Sequence, residues 1–470
     1  MYDEGQERIT TRWVCTEKVK GQEIHLKARL VARGFEEDTS QLRSDSPTCS
    51  KEALRLLLAT VASKKWELKS MDIKGAYLQG LPISRELYLQ PPAGFSVGKV
   101  WKLKKTPYGL VDAGRKWYIK VLKVLLSTEG SPSKNDKALF FWEKDGNISG
   151  MLVAHVDDFL YGGDDSFNRD IIPQIKEEFD VGSEEEGTFR YTGLEVSTDK
   201  LGDIRVGTGE YCAGIIEADT SCLGPRSRPL SPTEVTILKS KAGQVNWIAG
   251  QSRPDLAFDN CALSNRTAKA TVDDLHFANK VIRRIGSKDI QLSFPHSLDI
   301  DDVQVVAFCD ASHANLPDKG SQGGIIVFLV DSKGFHCTVM WQSRRIKRIV
   351  NSTIAAECLV AVETAERCLL LKTIIKEVTG KDAKTSIFSD NKSLVEAAHT
   401  TTQMENKRLQ IDMGILREML ERGELDELRW IDTKHQVANP LTKAGAPADY
   451  LLSIITGQLL KFNFNTGIFA

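Results

Sequence analysis

The sequence predicts a multidomain protein of the α+β and α/β classes, and three observations lead to this prediction. The chain has 470 residues, which at about 100–200 residues per domain allows roughly two to four domains. Helical and alternating apolar patterns mix in its first part, the middle is mostly helical, and the last part predicts a mixed sheet packed by helices. The 41% hydrophobic and 27% charged residues are typical of globular proteins and exclude dominant disorder.

Changes in these patterns divide the chain into four segments. They are residues 10–200, which mix helices and strands, 201–299, which are mostly helical, 300–445, which form the mixed-sheet region, and 446–470, a C-terminal tail. In the first segment, Leu54, Leu57 and Val61 recur at helical spacing behind Ser50 as a candidate N-cap. Residues 66–73 then alternate as a strand does, and the apolar runs 151–156 and 159–161 predict a hairpin.

The second and third segments carry clearer boundary signals. Thr271 and Asp274 match a capping box in front of an apolar helical stripe. After residue 300 the elements are predicted in a fixed order: a strand at 303–309, a hairpin of 324–330 and 336–341, a helix at 353–377, a strand at 385–389, a helix ending at Gly423 and a strand at 428–432. This order predicts a mixed sheet covered by helices.

Charge and cysteine usage exclude several classes of protein. The 62 Lys and Arg residues nearly balance the 63 Asp and Glu residues, so the net charge of −1 gives no hint of a nucleic-acid partner. Nine scattered cysteines without C-x-x-C spacing argue against a disulfide framework and a zinc finger. No apolar run approaches the roughly 20 residues that span a bilayer. We therefore expect a soluble protein of a reducing compartment, without a membrane partner.

Three aspartates in the first segment are candidates for metal binding. Asp72 lies at the end of the predicted strand, and Asp157 and Asp158 lie at the tip of the predicted hairpin. Carboxylates in apolar surroundings are costly unless they pair with cations or bind metal. Two Mg²⁺ ions about 3.5–4 Å apart, held by such carboxylates, promote in-line phosphoryl transfer. The alternative is that Asp157 and Asp158 are simply turn residues.

Five segments together favour the metal-binding interpretation. They are residues 27–35, 71–78, 107–110, 115–118 and 156–158, and in this order they resemble the reverse transcriptase of copia-type LTR retrotransposon Pol polyproteins. The resemblance implies a right-hand polymerase of fingers, palm and thumb. It also implies that Asp72, Asp157 and Asp158 bind the catalytic Mg²⁺ ions, for which Mn²⁺ is the alternative. The short run before Arg12 leads us to expect a chain truncated within the fingers.

The same resemblance assigns further residues to nucleotide binding: Lys27, Arg29, Arg33, Tyr77, Tyr108 and Gly109. Tyr77 corresponds to the aromatic residue that occupies the space of a ribose 2′-OH and so favours dNTPs over rNTPs. The alternative for Tyr77 is an aromatic side chain packed in the core. The basic residues correspond to the fingers segment that meets the triphosphate, and their alternative is a solvated edge strand.

Local charge in the first segment points to a nucleic-acid groove. Seven Lys and Arg side chains stand against a single acidic residue between residues 101 and 123, interleaved with aromatic residues such as Trp117. Cations and aromatic surface together fit nucleic-acid binding, although aromatic residues at such spacing also occur in cores. By resemblance, residues 189–194 form the hairpin that positions the primer end, and 243–247 and 252–256 belong to the thumb side.

The third segment carries a second group of acids. Asp310 follows its first strand, Glu357 lies on its long helix, and Asp390 ends its fourth strand, so their carboxylates are placed to converge on a metal pair. The order and flanking residues resemble the RNase H domain fused behind copia-type reverse transcriptases. Asn439 stands where that family has a fourth acid, which predicts weak or absent RNase H activity. The alternative is three surface acids at the ends of their elements.

These observations predict an RNA-directed DNA polymerase with a fused RNase H-like domain. Its expected partners are an RNA template, a DNA primer, an RNA–DNA hybrid and dNTPs. The resemblance implies a cytoplasmic virus-like particle as the location, with the nucleus as the alternative compartment. Two other functions stay open: a degenerate relic that binds nucleic acid without synthesis, and an RNase H-like nuclease with an inert N-terminal half.

Overall fold

A computed structural model describes residues 8–20, 23–95, 99–401, 404, 406–460, 462–463 and 468–469. The strands are β1 (Arg8–Ile9), β2 (Thr11–Lys20), β3 (Glu23–Ala32), β4 (Lys69–Ile73), β5 (Tyr88–Leu89), β6 (Trp101–Lys102), β7 (Ser131–Pro132), β8 (Leu139–Lys144), β9 (Asn147–His155), β10 (Asp158–Gly163), β11 (Val181–Glu186), β12 (Thr188–Tyr191), β13 (Leu194–Thr198), β14 (Ile204–Gly207), β15 (Leu292–Phe294), β16 (Gln304–Ser312), β17 (Ser321–Val330), β18 (His336–Ile346), β19 (Thr385–Ser389), β20 (Glu427–Trp430), β21 (Phe462–Asn463) and β22 (Ile468–Phe469).

The α-helices are α1 (Lys51–Lys64), α2 (Ala76–Gln79), α3 (Ala113–Ser127), α4 (Ile172–Glu178), α5 (Gly209–Ala213), α6 (Pro232–Gln251), α7 (Ala257–Arg266), α8 (Val272–Gly286), α9 (Thr353–Thr379), α10 (Lys392–Ala398), α11 (Lys407–Glu421) and α12 (Asp449–Ile455). No helix in the described ranges is long and apolar enough to cross a membrane. The chain divides into two compact units, one of Met1–Ser50 with Lys69–Glu185 and one of Lys51–Leu68 with Glu186–Ala470. The finer division into four segments stays a prediction.

The first unit is built on a six-stranded sheet in the order β11-β4-β10-β9-β8-β7. The predicted hairpin is confirmed, because β9 and β10 pair as antiparallel neighbours. The strand predicted over residues 66–73 begins only at Lys69. Trp117 of α3 packs on this sheet with Phe140, Phe159 and Tyr161. This apolar core fixes the sheet whose edge carries the predicted polymerase aspartates.

Two smaller sheets complete the first unit. Strands β2 and β3 pair as an antiparallel ribbon, and a three-stranded sheet has the order β1-β5-β6. Buried Ile9, Leu87 and Leu110 form an apolar cluster at the second of these sheets. Lys27 and Arg29 of the predicted basic segment lie in β3, where the ribbon holds the backbone and both side chains are exposed.

The second unit contains a helical part formed by α6, α7 and α8. Leu238, Val245, Leu275 and Ile285 are among its buried residues. The predicted capping box is confirmed at the start of α8, because the carboxylate of Asp274 accepts a hydrogen bond from the backbone N–H of Thr271 at 2.8 Å.

A five-stranded mixed sheet follows in the order β18-β17-β16-β19-β20. Strands β16 and β17 are antiparallel, whereas β16 and β19 are parallel, which confirms the mixed sheet predicted from the order of elements. The long helix α9 buries an apolar face that includes Val360, Cys368 and Ile375. The predicted tail contains a further helix, α12, and the carbonyl of Ile454 in α12 lies 3.0 Å from a ring nitrogen of His336 in β18.

Helix α1 precedes β4 in the chain but packs within the second unit. The guanidinium of buried Arg55 donates to the carbonyl oxygens of Val339 at 2.9 Å and of Gly250 at 3.0 Å. It also lies 3.8 Å from the ring centroid of Trp341, and burial lowers its pKa to about 10. Arg55 thereby links α1, the end of α6 and β18 through contacts that satisfy a desolvated cation.

Candidate active sites

The three predicted polymerase aspartates lie at the same edge of the six-stranded sheet. Asp72 in β4 and Asp158 at the start of β10 are opposed across an antiparallel strand pair. The backbone N–H of Ile73 donates to the carbonyl of Asp157 at 2.9 Å. This bond ties the turn between β9 and β10 to β4, so the fold brings together acids that are far apart in sequence.

A turn in an unusual conformation presents Asp157 and Asp158. Val156 has a φ of 58°, a left-handed conformation that is costly for a β-branched residue. The indole N–H of Trp117 donates to the carbonyl of Val156 at 2.6 Å. Because Trp117 is only 1% exposed, it lies in the core rather than in a nucleic-acid groove, and from there it holds the turn.

Electrostatic coupling among these acids is visible in the pKa of Asp158. Burial raises this pKa to about 6, with the charges of Asp157 and Asp72 adding to the effect. Among the described residues, the three aspartates do not form a group whose carboxylate oxygens all lie within 4.8 Å of one another. Mutual repulsion of the carboxylates opposes a closer approach, which a divalent cation would offset.

Tyr77 and Tyr108 form an aromatic pair beside the aspartates. Their ring centroids are 4.7 Å apart. Burial raises the pKa of each hydroxyl, and the charge of Asp157 adds to both shifts. Tyr77 is half-buried: it packs against the apolar core, as the alternative interpretation expected, and it also lies close to the acids. Its predicted role in sugar selection is geometrically compatible with this position.

Gly109 allows the loop after Tyr108 to approach the end of β3. It has a φ of +99°, and a Cβ at this position would lie 2.0 Å from the carbonyl oxygen of Ala32. The backbone N–H of Ala32 donates to the carbonyl of Tyr108 at 2.8 Å. The sequence motif around Gly109 thus serves a close backbone contact between two segments that the resemblance assigns to nucleotide binding.

The predicted basic residues of the fingers lie on the surface. Lys27 and Arg29 are exposed and share one face of β3, and the charge of Arg29 acts on the hydroxyl of Tyr108. Arg33 lies just beyond the end of β3, where its guanidinium is 3.8 Å from the carboxylate of Glu36. The structure therefore places Arg29 near the tyrosine pair, while Arg33 already has an acidic neighbour.

Two residues beside this site were not identified from the sequence. A Cβ on Gly182 of β11 would lie 2.5 Å from a carboxylate oxygen of Asp72, so a side chain at this position would displace that carboxylate from its present place. His155 is exposed and directly opposite Asp158 in the hairpin. His155 is the polar residue that ends the buried apolar run of β9, which would have indicated an outward side chain, whereas no local pattern indicates that Gly182 neighbours Asp72.

The predicted acids of the mixed-sheet region converge. Asp310 of β16, Glu357 of α9 and Asp390, directly after β19, each offer a carboxylate oxygen, and these oxygens all lie within 4.8 Å of one another. The hydroxyl of Thr442 donates to Asp310, and the hydroxyl of Thr433 donates to Asp390 at 2.9 Å. Three acids at the ends or faces of separate elements thus meet at one point, as predicted.

The electrostatics of this cluster fit a cation. The pKa of Glu357 is raised to about 9, chiefly by burial, with the charges of Asp310 and Asp390 contributing to the shift. One carboxylate oxygen of Glu357, Oε2, is buried without a hydrogen-bond partner, which is costly unless a ligand compensates it. Hard oxygen donors of this kind suit Mg²⁺ or Mn²⁺. The residues present therefore fit a divalent metal.

Asn439 lies beside this cluster, where the resemblance placed a fourth acid. Its amide nitrogen donates to the carbonyl of Thr433 at 3.3 Å, and its amide oxygen accepts a hydrogen bond from the ammonium of Lys443 at 2.7 Å. The Lys443 ammonium is also 3.5 Å from a carboxylate oxygen of Asp310. Sequence reasoning missed Lys443, because a lysine four residues after Asn439 carries no metal-site signal of its own.

The segments assigned to the primer and thumb side are ordered parts of the second unit. Residues 189–194 form the antiparallel hairpin of β12 and β13, as predicted. The guanidinium of Arg253 forms two hydrogen bonds of 2.9 Å with the carboxylate of Asp255, and both side chains are buried. This pair satisfies two buried charges, which gives the 252–256 motif a structural role.

Comparisons with known proteins agree with this picture. Residues 2–224 match the family model described as "Reverse transcriptase (RNA-dependent DNA polymerase)". The chain is 25% identical over 463 residues to the retrovirus-related Pol polyprotein from transposon RE1, and 27% identical over 465 residues to that from transposon RE2, both of Arabidopsis thaliana. Each match covers 93% of this chain, which spans only 30% and 31% of the two polyproteins. The predicted resemblance to copia-type Pol polyproteins is thereby confirmed.

A solved structure supports the fold. The foamy viral protease-reverse transcriptase, determined in complex with an RNA/DNA hybrid, matches 94% of this chain with a TM-score of 0.54 and 13% sequence identity. The chain covers 52% of that protein. The predicted architecture, a right-hand polymerase followed by an RNase H-like domain, is confirmed at the level of the fold.

Proposed function

We propose that this chain, with its reverse transcriptase match and RNase H-like fold, is an RNA-directed DNA polymerase that adds dNMP to a primer 3′-OH. The observation that carries the proposal is the placement of Asp72 opposite Asp158, with Asp157 in the adjoining turn. Three carboxylates at one sheet edge, one of them with its pKa raised to about 6, are suited to binding divalent cations. The family match and the polyprotein relatives support the same reaction.

The chemistry of the polymerase site rests on these acids and their neighbours. Asp72, Asp157 and Asp158 would hold two Mg²⁺ ions, which would supply activation of the attacking hydroxyl and charge stabilisation of the pyrophosphate leaving group. Tyr77 restricts the space at the sugar, and Tyr108 supports its ring. Arg29, on the exposed face of β3, supplies positive charge for the triphosphate together with Lys27 and Arg33.

The RNase H-like domain is proposed to act on RNA–DNA hybrids with reduced activity. Asp310, Glu357 and Asp390 would hold the metal, and the orphaned oxygen of Glu357 supports this assignment. Asn439 adds no negative charge to the cluster, so metal affinity is lower than with a fourth acid. The proposed partners are an RNA template, a DNA primer, the hybrid they form and dNTPs, and the proposed location is a cytoplasmic particle or the nucleus.

Templated primer extension tests the polymerase proposal. The full chain is incubated with an RNA template, a labelled DNA primer, Mg²⁺ and dNTPs, and the extended products are separated by length. We expect extension that requires all templated dNTPs and that Asp157→Asn abolishes. Asp165→Asn, which removes an exposed carboxylate downstream of the hairpin, is the matched control and is expected to retain extension.

The competing function is nucleic-acid binding without synthesis. The observation that favours it is the hydrogen bond from Lys443 to the amide oxygen of Asn439 in the nuclease-like site. This bond occupies the position of the fourth acid and is consistent with loss of nuclease activity. Under this alternative the chain binds primer–template in a gel-shift measurement but gives no templated extension. Extension that depends on Asp157 would exclude it.

A further inference from the structure

The side chain of Lys443 extends to the acid cluster of the RNase H-like domain. Its ammonium is 3.5 Å from a carboxylate oxygen of Asp310 and 2.7 Å from the amide oxygen of Asn439. Asp310 is buried, whereas the Lys443 side chain is 40% exposed. A cation at hydrogen-bond distance from one neighbour and in ion-pair contact with a buried metal-ligand candidate differs from a solvated surface lysine.

Hydrogen bonds fix which atoms of Asn439 face the cluster. The amide nitrogen donates to the Thr433 carbonyl, so the amide oxygen must be the atom that meets Lys443. The reversed amide would set two donors against each other and leave the Thr433 carbonyl facing an acceptor. The amide oxygen of Asn439 is therefore bound to Lys443 and is not free as a metal ligand.

The loop that leads to Lys443 is anchored through Gln436 and Thr442, which precede it in the chain. The hydroxyl of Ser312 in β16 donates to the carbonyl of Thr442 at 3.0 Å, and the Thr442 hydroxyl donates to Asp310. The amide of Gln436 donates to the carbonyl of Cys309 at 2.9 Å. These contacts fasten the loop to the strand that bears Asp310, so the ammonium is held at the cluster by the fold.

Charge balance then limits how many divalent ions this cluster holds. The three carboxylates of Asp310, Glu357 and Asp390 carry three formal negative charges when ionised. One divalent ion and one ammonium balance them, whereas two divalent ions would leave excess positive charge in a largely buried site. Two metals therefore require a further anionic ligand, which neither Asn439 nor Lys443 supplies.

We propose that the RNase H-like site binds a single divalent ion and that the ammonium of Lys443 supplies the second positive charge. Lys443 is then a positioning and charge-supplying residue, which keeps a cation beside Asp310 where a second metal would otherwise be needed. The inference rests on the proposed RNase H-like function of this domain, but it concerns metal stoichiometry rather than rate.

Counting bound Mn²⁺ tests this proposal without an activity readout. The full chain carries Asp157→Asn and Asp158→Asn, so that the polymerase acids do not add bound ions, and free Mn²⁺ is measured by electron paramagnetic resonance during a titration. The same chain with Asp310→Asn gives the background. We expect a difference of one ion per chain, and two ions with a spin-coupled spectrum when Lys443→Met is combined with Asn439→Asp.

Two single variants make the test independent of that combination. Lys443→Met alone is expected to tighten binding of the one ion by at least about tenfold, because a competing cation is removed from Asp310. Lys443→Arg keeps the charge and is expected to leave the affinity within about twofold. Thermal unfolding of each variant confirms that it is folded.

Three results would overturn the proposal. They are two ions bound by the chain that retains Lys443 and Asn439, no ion that depends on Asp310, or unchanged affinity in Lys443→Met. Primer extension, measured separately on the chain with intact Asp157, distinguishes this failure from failure of the polymerase proposal. Normal extension with two bound ions would reject only the role of Lys443.

Discussion

At the scale of single residues, the acids were the most predictable part of the molecule. Asp310, Glu357 and Asp390 were identified from their places at the ends or faces of predicted elements. In the structure, one carboxylate oxygen of each lies within 4.8 Å of the other two. Gly182 and Lys443 were not identified. Their importance comes from contacts with residues distant in sequence, Asp72 and Asp310, and neither contact leaves a local pattern.

The tyrosine pair gives a prediction about sugar selection. Tyr77→Ala removes the ring that lies against Tyr108 and near Asp157, so a 2′-OH would meet less steric opposition. We expect the preference for dGTP over GTP in single-nucleotide addition to fall by about 10–100-fold. Tyr77→Phe keeps the ring and serves as the control. An unchanged preference in Tyr77→Ala would reject the assigned role.

Asn439 gives a prediction about hybrid cleavage. Asn439→Asp adds a carboxylate beside the cluster and is expected to raise metal affinity and the rate of RNA cleavage in a labelled RNA–DNA hybrid by at least about tenfold. The assay uses the full chain at limiting Mg²⁺. Equal cleavage rates before and after the substitution would contradict the view that the missing charge weakens this site.

Glu357 gives a prediction about pH and stability. Its pKa is raised to about 9 in the folded protein, whereas an unfolded Glu titrates near about 4.3. Between these values the folded state binds more protons than the unfolded state, so raising the pH lowers the free energy of unfolding, by at most about 1.4 kcal/mol per pH unit for one proton.

The measurement is the unfolding midpoint in chelator, compared at about pH 6 and about pH 8. We expect the midpoint of the unit that carries Glu357 to fall as the pH rises, and the fall to be smaller in Glu357→Gln, which does not titrate. Added Mg²⁺ is also expected to make the fall of the midpoint with pH smaller, because metal binding favours the ionised carboxylates. Equal falls in both proteins would contradict the assigned pKa.

At the scale of elements, the mixed-sheet region was predicted best. The strand predicted at 385–389 matches β19, and the helix predicted at 353–377 matches α9 within two residues, because long buried elements carry strong apolar patterns. The short helix α10 was not predicted separately, since its seven residues make only about two turns, too few for a repeating apolar pattern to stand out. Helix α1 was recognised, but its packing on β18 through Arg55 depends on contacts that periodicity does not encode.

The loop at Gly109 gives a prediction at this scale. Gly109→Ala forces a side chain into a left-handed conformation and against the Ala32 carbonyl. We expect it to lower the free energy of unfolding of the first unit by at least about 2 kcal/mol in a denaturant titration. Gly146→Ala is the matched control, because Gly146 also has a positive φ of +76° but has nothing within 4 Å of its Cβ position. A similar loss in both variants would show that the close contact with Ala32 is unimportant.

At the scale of the whole molecule, each candidate site is built from residues of one compact unit. Asp72, Asp157 and Asp158 lie in the first unit, and Asp310, Glu357 and Asp390 lie in the second. The net charge of −1 did not indicate a nucleic-acid partner, because it sums basic surfaces such as β3 with clusters of acids. The motifs carried that prediction because they specify where charges lie along the chain.

We propose above that the first unit carries a working polymerase site. The most direct test of this proposal is the rate of templated dNMP addition by the full chain on an RNA template. We expect addition that follows the template sequence, requires Mg²⁺, falls by at least about a thousandfold in Asp157→Asn, and persists in Asp165→Asn. Primer–template binding without templated addition by the unsubstituted chain would contradict it.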